Sequence, residues 1–302
     1  MNITQKGNLA GVLAIILWAT LALFTVLTYK IPPFQLTAMA FGVAFVIGLG
    51  LWIKAKKGIL IHLRLPWRVW LLGIYGLFGY HFFYFMAIKN APPLEANLIN
   101  YLWPLFIVLF SSFLPTEKLR WFHVLGSILG LFGAVLLIGF GQEVQFSPEY
   151  GKGYIYAFIC ALIWSSYSVL SRHFGTVSTY AVGGFCGATA LLSLIAHFIF
   201  EETYIPSSVE LLATIVLGLG PVGLAFFVWD YGMKKGDIKL LGSLSYATPL
   251  LSTFLLIISG QSSPNTMIWV ACLLIVLGSI VSSFPLFRAL YEKIKIHNQR
   301  FL

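Results

Sequence analysis

Tyr80 and Tyr84 lie four residues apart with His81 three before Tyr84, a spacing that puts all three on one broad helical face. In the next apolar run Asn97, Tyr101 and Pro104 follow a 4-and-3 stripe, with Asn100 and Trp103 flanking it. Trp18 and Trp164 stand near the middle of two further apolar runs. These residue types hold a ligand rather than transform one. Asn amides and Tyr hydroxyls in hydrocarbon need partners, so they face protein or water. Aromatic rings add stacking and edge contacts of roughly 0.5–1.5 kcal/mol per pair to a ring-bearing ligand. The ligand that fits is small, amphiphilic and aromatic. A competing reading places Tyr and Trp in the belts at the membrane interface. It suits Trp52, Trp67, Trp70 and Trp121, at run ends, better than Trp18 and Trp164.

The few ionisable groups within the runs each carry two readings. His81 is a proton relay or substrate contact, or a hydrogen-bonded packing residue. Asp230, four residues before Lys234, makes a local ion pair at the interface, or serves as a gate or proton site. Lys89 and Glu95 flank Ala91-Pro92-Pro93 and either cap an entrance or snorkel to the surface. Pro104 and Pro249 sit mid-run; each frees a backbone carbonyl and bends its helix, as a hinge or a bent cavity wall. Metal-ligand spacings, a Gly-rich phosphate loop and a Ser/His/Asp arrangement are all missing from the sequence, so neither a metal, a cofactor nor an enzyme is expected. Cys160, Cys186 and Cys272 fall inside apolar runs and read as packing residues.

The elements that must position these residues follow from composition. The 302-residue chain is 59% hydrophobic and 10% charged, with mean hydropathy +0.89, against about 45–50% apolar and about 25% charged in soluble domains. About 20 apolar residues cross a bilayer as a helix, and ten such runs occur near 8–29, 34–53, 69–88, 93–114, 121–140, 153–171, 178–199, 210–232, 240–260 and 266–286. The first reads as a retained helix rather than a cleaved signal, since Thr28-Tyr29-Lys30 offers no small-x-small site.

The runs also repeat. Asn100-Tyr101-Leu102-Trp103-Pro104-Leu105 returns as Ser245-Tyr246-Ala247-Thr248-Pro249-Leu250 at an offset of 145, which also aligns Lys89 with Lys234, Gly73 with Gly218, Phe82 with Phe227 and Gly133 with Gly278; Trp18 meets Trp164 at 146. Five runs per half force the second half to insert upside down. The expected fold is therefore an all-α integral membrane protein, ten transmembrane helices as two inverted five-helix repeats, 1–145 and 146–302, around a central cavity. Of the 19 Lys and Arg, all but Lys30, Lys89 and Lys152 fall in segments on the side of the N-terminus, which predicts cytoplasmic N- and C-termini. Glu143, Glu149, Glu201, Glu202 and Glu210 lie on the opposite side. The net charge of +9 is thus topological, serving anionic headgroups rather than nucleic acid.

The halving, a Trp in the first run of each half, the Lys89 and Lys234 positions and the Tyr-x-x-Pro of each repeat resemble the drug/metabolite transporter superfamily, specifically its EamA-type proteins. The Tyr80-His81-Phe82-Phe83-Tyr84 and Asn100-Tyr101-Leu102-Trp103-Pro104 stretches are similar to those of its aromatic amino acid exporters. The resemblance implies a basket-like bundle in the bacterial inner membrane that exports aromatic amino acids and related metabolites as a monomer. It places Trp18, Tyr80, His81, Tyr84, Tyr101, Trp103 and Trp164 around the substrate. Asn97, Asn100 and helix-end dipoles would then hold the zwitterion's charged groups. The expected mechanism is alternating access, the second and seventh helices moving with Gly42, Gly48, Gly183 and Gly187. The rivals are a passive facilitator or channel, and a multidrug or lipid-handling relative that would need an acid in the cavity.

Overall fold

A segment that crosses hydrocarbon must satisfy its own backbone, and a helix is the way a single apolar run does so. In the computed structural model of the protein, which describes residues 1–56, 58–115, 117–139, 146–260 and 266–282, nine helical stretches are long and apolar enough to span: Ile3–Leu27, Pro33–Lys54, Trp67–Asn90, Pro93–Phe113, Trp121–Gly139, Pro148–Phe174, Ala181–Phe200, Ser208–Lys235 and Ile238–Ile258. The tenth, Thr266–Ser282, is shorter at 17 residues and equally apolar. The chain is an all-helical multi-pass membrane protein. Residue 145, Lys57, Glu143, Arg288, Lys293, Lys295 and Arg300 lie outside the described residues.

Several spans are broken, and the breaks fall at corresponding places. The third span carries a π-helical turn at Tyr75–Gly79 and the eighth one at Gly220–Leu224, again 145 apart. Such insertions shift the helical register locally and recur at functional sites. The fourth span divides into Pro93–Asn100 and Trp103–Phe110, and the ninth into Ile238–Leu244 and Ala247–Ile258. Pro104 lies in the first turn of its second piece, where a missing N–H costs nothing. Breaking the fourth span frees the Leu105 N–H from helical partnership, and it donates instead to the Tyr246 hydroxyl at 3.1 Å.

The spans pack in four principal pairs: first with the C-terminal half of the eighth, sixth with the C-terminal half of the third, second with seventh, and fifth with tenth. The last two depend on glycine. A Cβ on Gly48 would lie 2.6 Å from the Gly183 Cα, and one on Gly278 would lie 2.8 Å from the Gly130 nitrogen, so the backbones all but touch. Gly126, Gly130 and Gly133 therefore serve packing within the chain. Gly48 and Gly183, expected as points of flexure, are instead a close contact, and Gly187 packs on the Phe45 ring; Gly42 alone of the four faces open space. The second span is also capped by the seventh. Pro33 has no N–H, and the next two donors, Phe34 and Gln35, bind the Glu201 carboxylate at 2.8 and 3.1 Å, an anion placed at a helix N-terminus.

Of the four tryptophans expected at the interface, Trp70 is half-buried and donates to the Leu63 carbonyl at 3.3 Å. Trp67 and Trp121 are 69% and 73% exposed, whereas Trp52 is fully buried and donates to the Tyr180 carbonyl at 2.8 Å. Its neighbour Gly183 leaves room for a ring that would otherwise meet a side chain. From this packing, Gly48→Ala is expected to destabilise the protein by about 1–3 kcal/mol through forced separation of two helices. Gly42→Ala is expected to be neutral or slightly stabilising. Thermal unfolding of both variants in detergent checks the contrast.

Candidate functional site

The centre of the bundle is a knot of indoles. Trp18 of the first span, Trp103 of the fourth, Trp164 of the sixth and Trp229 of the eighth are in mutual ring contact in all six pairs, with centroids 4.9 to 6.4 Å apart. Most of these pairs meet edge to face and one is stacked, the arrangements the ring quadrupole favours. Phe226 joins Trp18 and Trp164 at 6.1 and 5.6 Å. Trp103, Trp164 and Trp229 are buried and Trp18 is half-buried. The Trp229 Nε1–H donates to the Ser168 hydroxyl at 3.1 Å, so this buried indole does not strand its donor.

One side of this floor is bordered by the residues of the third and fourth spans. Tyr80 touches Trp164 at 5.4 Å and stacks on Tyr84 at 6.0 Å. The Tyr84 hydroxyl donates to Asn97 Oδ1 at 2.9 Å, and Asn100 Nδ2 donates to the Tyr80 hydroxyl at 3.0 Å. The two spans are thus pinned by reciprocal Tyr–Asn bonds. Asn100 is buried, and among the described residues its Oδ1 has no hydrogen-bond partner. His81 lies edge-on to Phe41 at 5.0 Å and donates from Nδ1 to the Leu77 carbonyl at 2.7 Å. Tyr80, His81, Tyr84, Phe85, Asn97 and Tyr101 all keep part of their surface accessible. Tyr80 joins this cluster to the indole floor through its contact with Trp164. Lys89 is exposed beyond it, whereas Glu95 is buried.

The nine residues expected from sequence converge here, and Trp229, Phe226, Phe41 and Phe85 join them. The signal for two of these was present in the repeat: Trp229 stands 145 after Tyr84 and Phe226 stands 145 after His81. The two positions of each pair differ in burial, the first being half-buried and the second buried. Tyr101 and Tyr246 differ in the same way.

The opposite end of the bundle is shut by polar contacts. Lys234 Nζ pairs with Asp230 Oδ2 at 2.8 Å, their side chains 5% and 2% exposed. The Thr179 hydroxyl donates to the same Asp230 oxygen at 2.7 Å, and Lys234 also donates to the Val177 carbonyl at 3.1 Å. Glu117 pairs with Arg172 at 3.3 Å and with Lys239. Arg172 donates in turn to the Met233 and Gly236 carbonyls at 3.2 and 2.8 Å. Three connections and three span ends are tied together there. Pro104 and Pro249 are both buried, each just beyond the break in its span.

Comparison with known proteins agrees with this architecture. The model of the EamA-like transporter family matches residues 5–139 and again 151–284. A protein of Ancylobacter novellus named aromatic amino acid exporter YddG is 52% identical over 280 residues, covering 92% of this chain and 97% of its own. The aromatic amino acid exporter YddG of Escherichia coli is 24% identical over 295 residues, covering 92% and 96%. A crystal structure 52% identical in sequence superposes with a TM-score of 0.88 over 92% of this chain and 97% of its own. With both halves of its length matched, the chain belongs to the EamA-like transporter family.

Proposed function

We propose that the protein is a secondary transporter that exports aromatic amino acids and related small metabolites across the bacterial inner membrane by alternating access, and that it is not an enzyme. The observation that carries this reading is the cluster of half-buried Tyr80, Tyr84 and Tyr101 beside the indole floor. Its rings suit an aromatic side chain, and the unpartnered Oδ1 of buried Asn100 is an acceptor for an ammonium group. The exporter names of the relatives point to the same ligand class. In this reading Trp18, Tyr80, His81, Tyr84, Asn97, Asn100, Tyr101, Trp103 and Trp164 contact the substrate, and Pro104, Pro249 and Asp230 serve the gates. The unit is a monomer in which residues 1–145 and 146–302 are inverted repeats. The double family match and the cross-pairing of first with eighth and third with sixth spans support that division. Alternating access draws support from the unequal burial of positions 145 apart and from the ion pairs that tie connections and span ends together at the Asp230 end.

A passive facilitator has one observation in its favour: among the residues of this cluster His81 is the only ionisable group apart from tyrosine, so little is available to couple flux to protons. Purified protein in liposomes separates the readings. Phenylalanine and tryptophan are expected to enter and lysine to be excluded. Accumulation above equilibrium under a pH gradient marks coupling, which His81→Gln then abolishes if His81 carries the proton; simple equilibration marks a facilitator. Absence of aromatic flux overturns the transport reading.

Trp18→Ala, Tyr101→Ala and Trp164→Ala are each expected to cut phenylalanine flux at least about tenfold, equivalent to roughly 1.4 kcal/mol. Unchanged flux in all three would remove the cluster as the binding site. A reporter fused after Leu302 is expected to lie in the cytoplasm, together with the N-terminus, and a periplasmic signal would contradict the orientation.

A further inference from the structure

We infer that Asp230 and Lys234 form a second recognition site, at the closed end of the bundle, which takes the ammonium and carboxylate groups of a zwitterionic aromatic substrate when that end opens. The inference rests on the transport reading above and extends it to the residues that receive substrate on the far side.

The two charges sit one turn apart on the eighth span, where side chains four residues apart are neighbours on one helical face. An ordinary interfacial pair of this kind is solvated and contributes little. This one is enclosed, its side chains 5% and 2% exposed. It borders a cavity of about 10 Å³ lined by the rings of Tyr167, Phe174 and Phe185, room for about one water. Charge, aromatic surface and a residual void therefore meet at one place, and the void is too small for a substrate while the end stays shut.

The contacts that close it indicate what would replace them. Asp230 accepts from the Thr179 hydroxyl and Lys234 donates to the Val177 carbonyl, both from the connection between the sixth and seventh spans. The neighbouring Lys235 donates to the Gly175 carbonyl of the same connection at 3.3 Å. When this connection withdraws, Asp230 loses a donor and Lys234 loses an acceptor. An α-amino acid supplies that pair from a single carbon: an ammonium donor for Asp230 and a carboxylate acceptor for Lys234. Its side chain then lies against the rings. The two charges keep one another, but each then lacks one contact it had when buried, so a zwitterion, which replaces both, is favoured over an amine or an acid that replaces one.

The repeat-related positions of the other half do not hold this pair. The positions 145 before Asp230 and Thr179 are Phe85 and Phe34, whose rings lie 5.4 Å apart. Lys89, 145 before Lys234, is exposed. The acid–base pair is thus a feature of one repeat that the matching positions of the other do not share.

The test is flux of labelled phenylalanine through reconstituted protein, in competition with 3-phenylpropionate, which lacks the ammonium, and phenethylamine, which lacks the carboxylate. The double variant Asp230→Asn with Lys234→Gln leaves no unpaired buried charge. It is expected to raise the KM for phenylalanine at least tenfold and to abolish its advantage over both competitors. Thr179→Val, which removes only the closing contact, is expected to keep that advantage and not to raise KM. Should the double variant aggregate, Asp230→Asn alone is expected to lose the advantage over 3-phenylpropionate while keeping that over phenethylamine. Wild-type KM and discrimination in the charge variants, or equal loss of discrimination in Thr179→Val, overturns the inference. A wild-type protein that moves no phenylalanine refutes the transport reading itself, and the inference with it.

Discussion

A polar group placed in hydrocarbon must find its partner inside the protein, and the centre of this molecule is organised by that constraint. Tyr84 reaches Asn97, Asn100 reaches Tyr80, and the Leu105 amide freed by a helix break reaches Tyr246. Each bond ties one span to another, so the breaks that an isolated helix would not tolerate become joints between helices. The bonds also orient the rings. Tyr80 and Tyr84 are held with their rings stacked and their hydroxyls engaged, which presents aromatic faces and few free polar atoms to whatever enters.

The same constraint explains why the two ends of the bundle differ. At the end that carries Asp230, charged side chains are paired, hydrogen-bonded and covered, because a buried charge without a partner would cost several kcal/mol. Closing that end therefore demands many simultaneous contacts from connections and span ends. At the opposite end the positions corresponding to Thr179 and Asp230 hold rings, Phe34 against Phe85 and Phe82, beside the Glu201 carboxylate held by the Phe34 and Gln35 N–H groups and by His197.

Much of this was legible in the residues before any coordinates. Runs of apolar residues bounded by Pro, Gly and charge located the spans to within a few residues, because length against bilayer thickness is a strong constraint. The Tyr–His–Tyr and Asn–Tyr–Trp stripes marked residues that the fold brings into contact, since polar and aromatic groups in hydrocarbon have few other reasons to align. What escaped has a common cause. The π-helical turns at Tyr75–Gly79 and Gly220–Leu224 alter register without changing composition, so periodicity alone did not reveal them. Trp52 stands at a span end like Trp67 yet is buried, because Gly183 on a distant span admits its ring. Trp229 hid behind its neighbour Asp230, whose charge drew the reading toward the interface, although the repeat offset placed it opposite Tyr84.

Glycine in this chain shows how close packing and mobility are balanced. Second and seventh spans meet at Gly48 and Gly183, and fifth and tenth at Gly126, Gly130 and Gly278. Contacts between bare backbones are close and resist bending, so these pairs are suited to act as rigid two-helix units rather than as flexing elements. Flexure then belongs to the third, fourth, eighth and ninth spans, where π-turns and breaks already interrupt the ladder. Those four spans carry the Tyr–Asn bonds at one end and Asp230, Lys234 and Lys239 at the other. A rearrangement confined to them would alter both ends of the pathway while the glycine-packed pairs keep their contacts, which is the division of labour that exchange of access between two sides of a membrane requires.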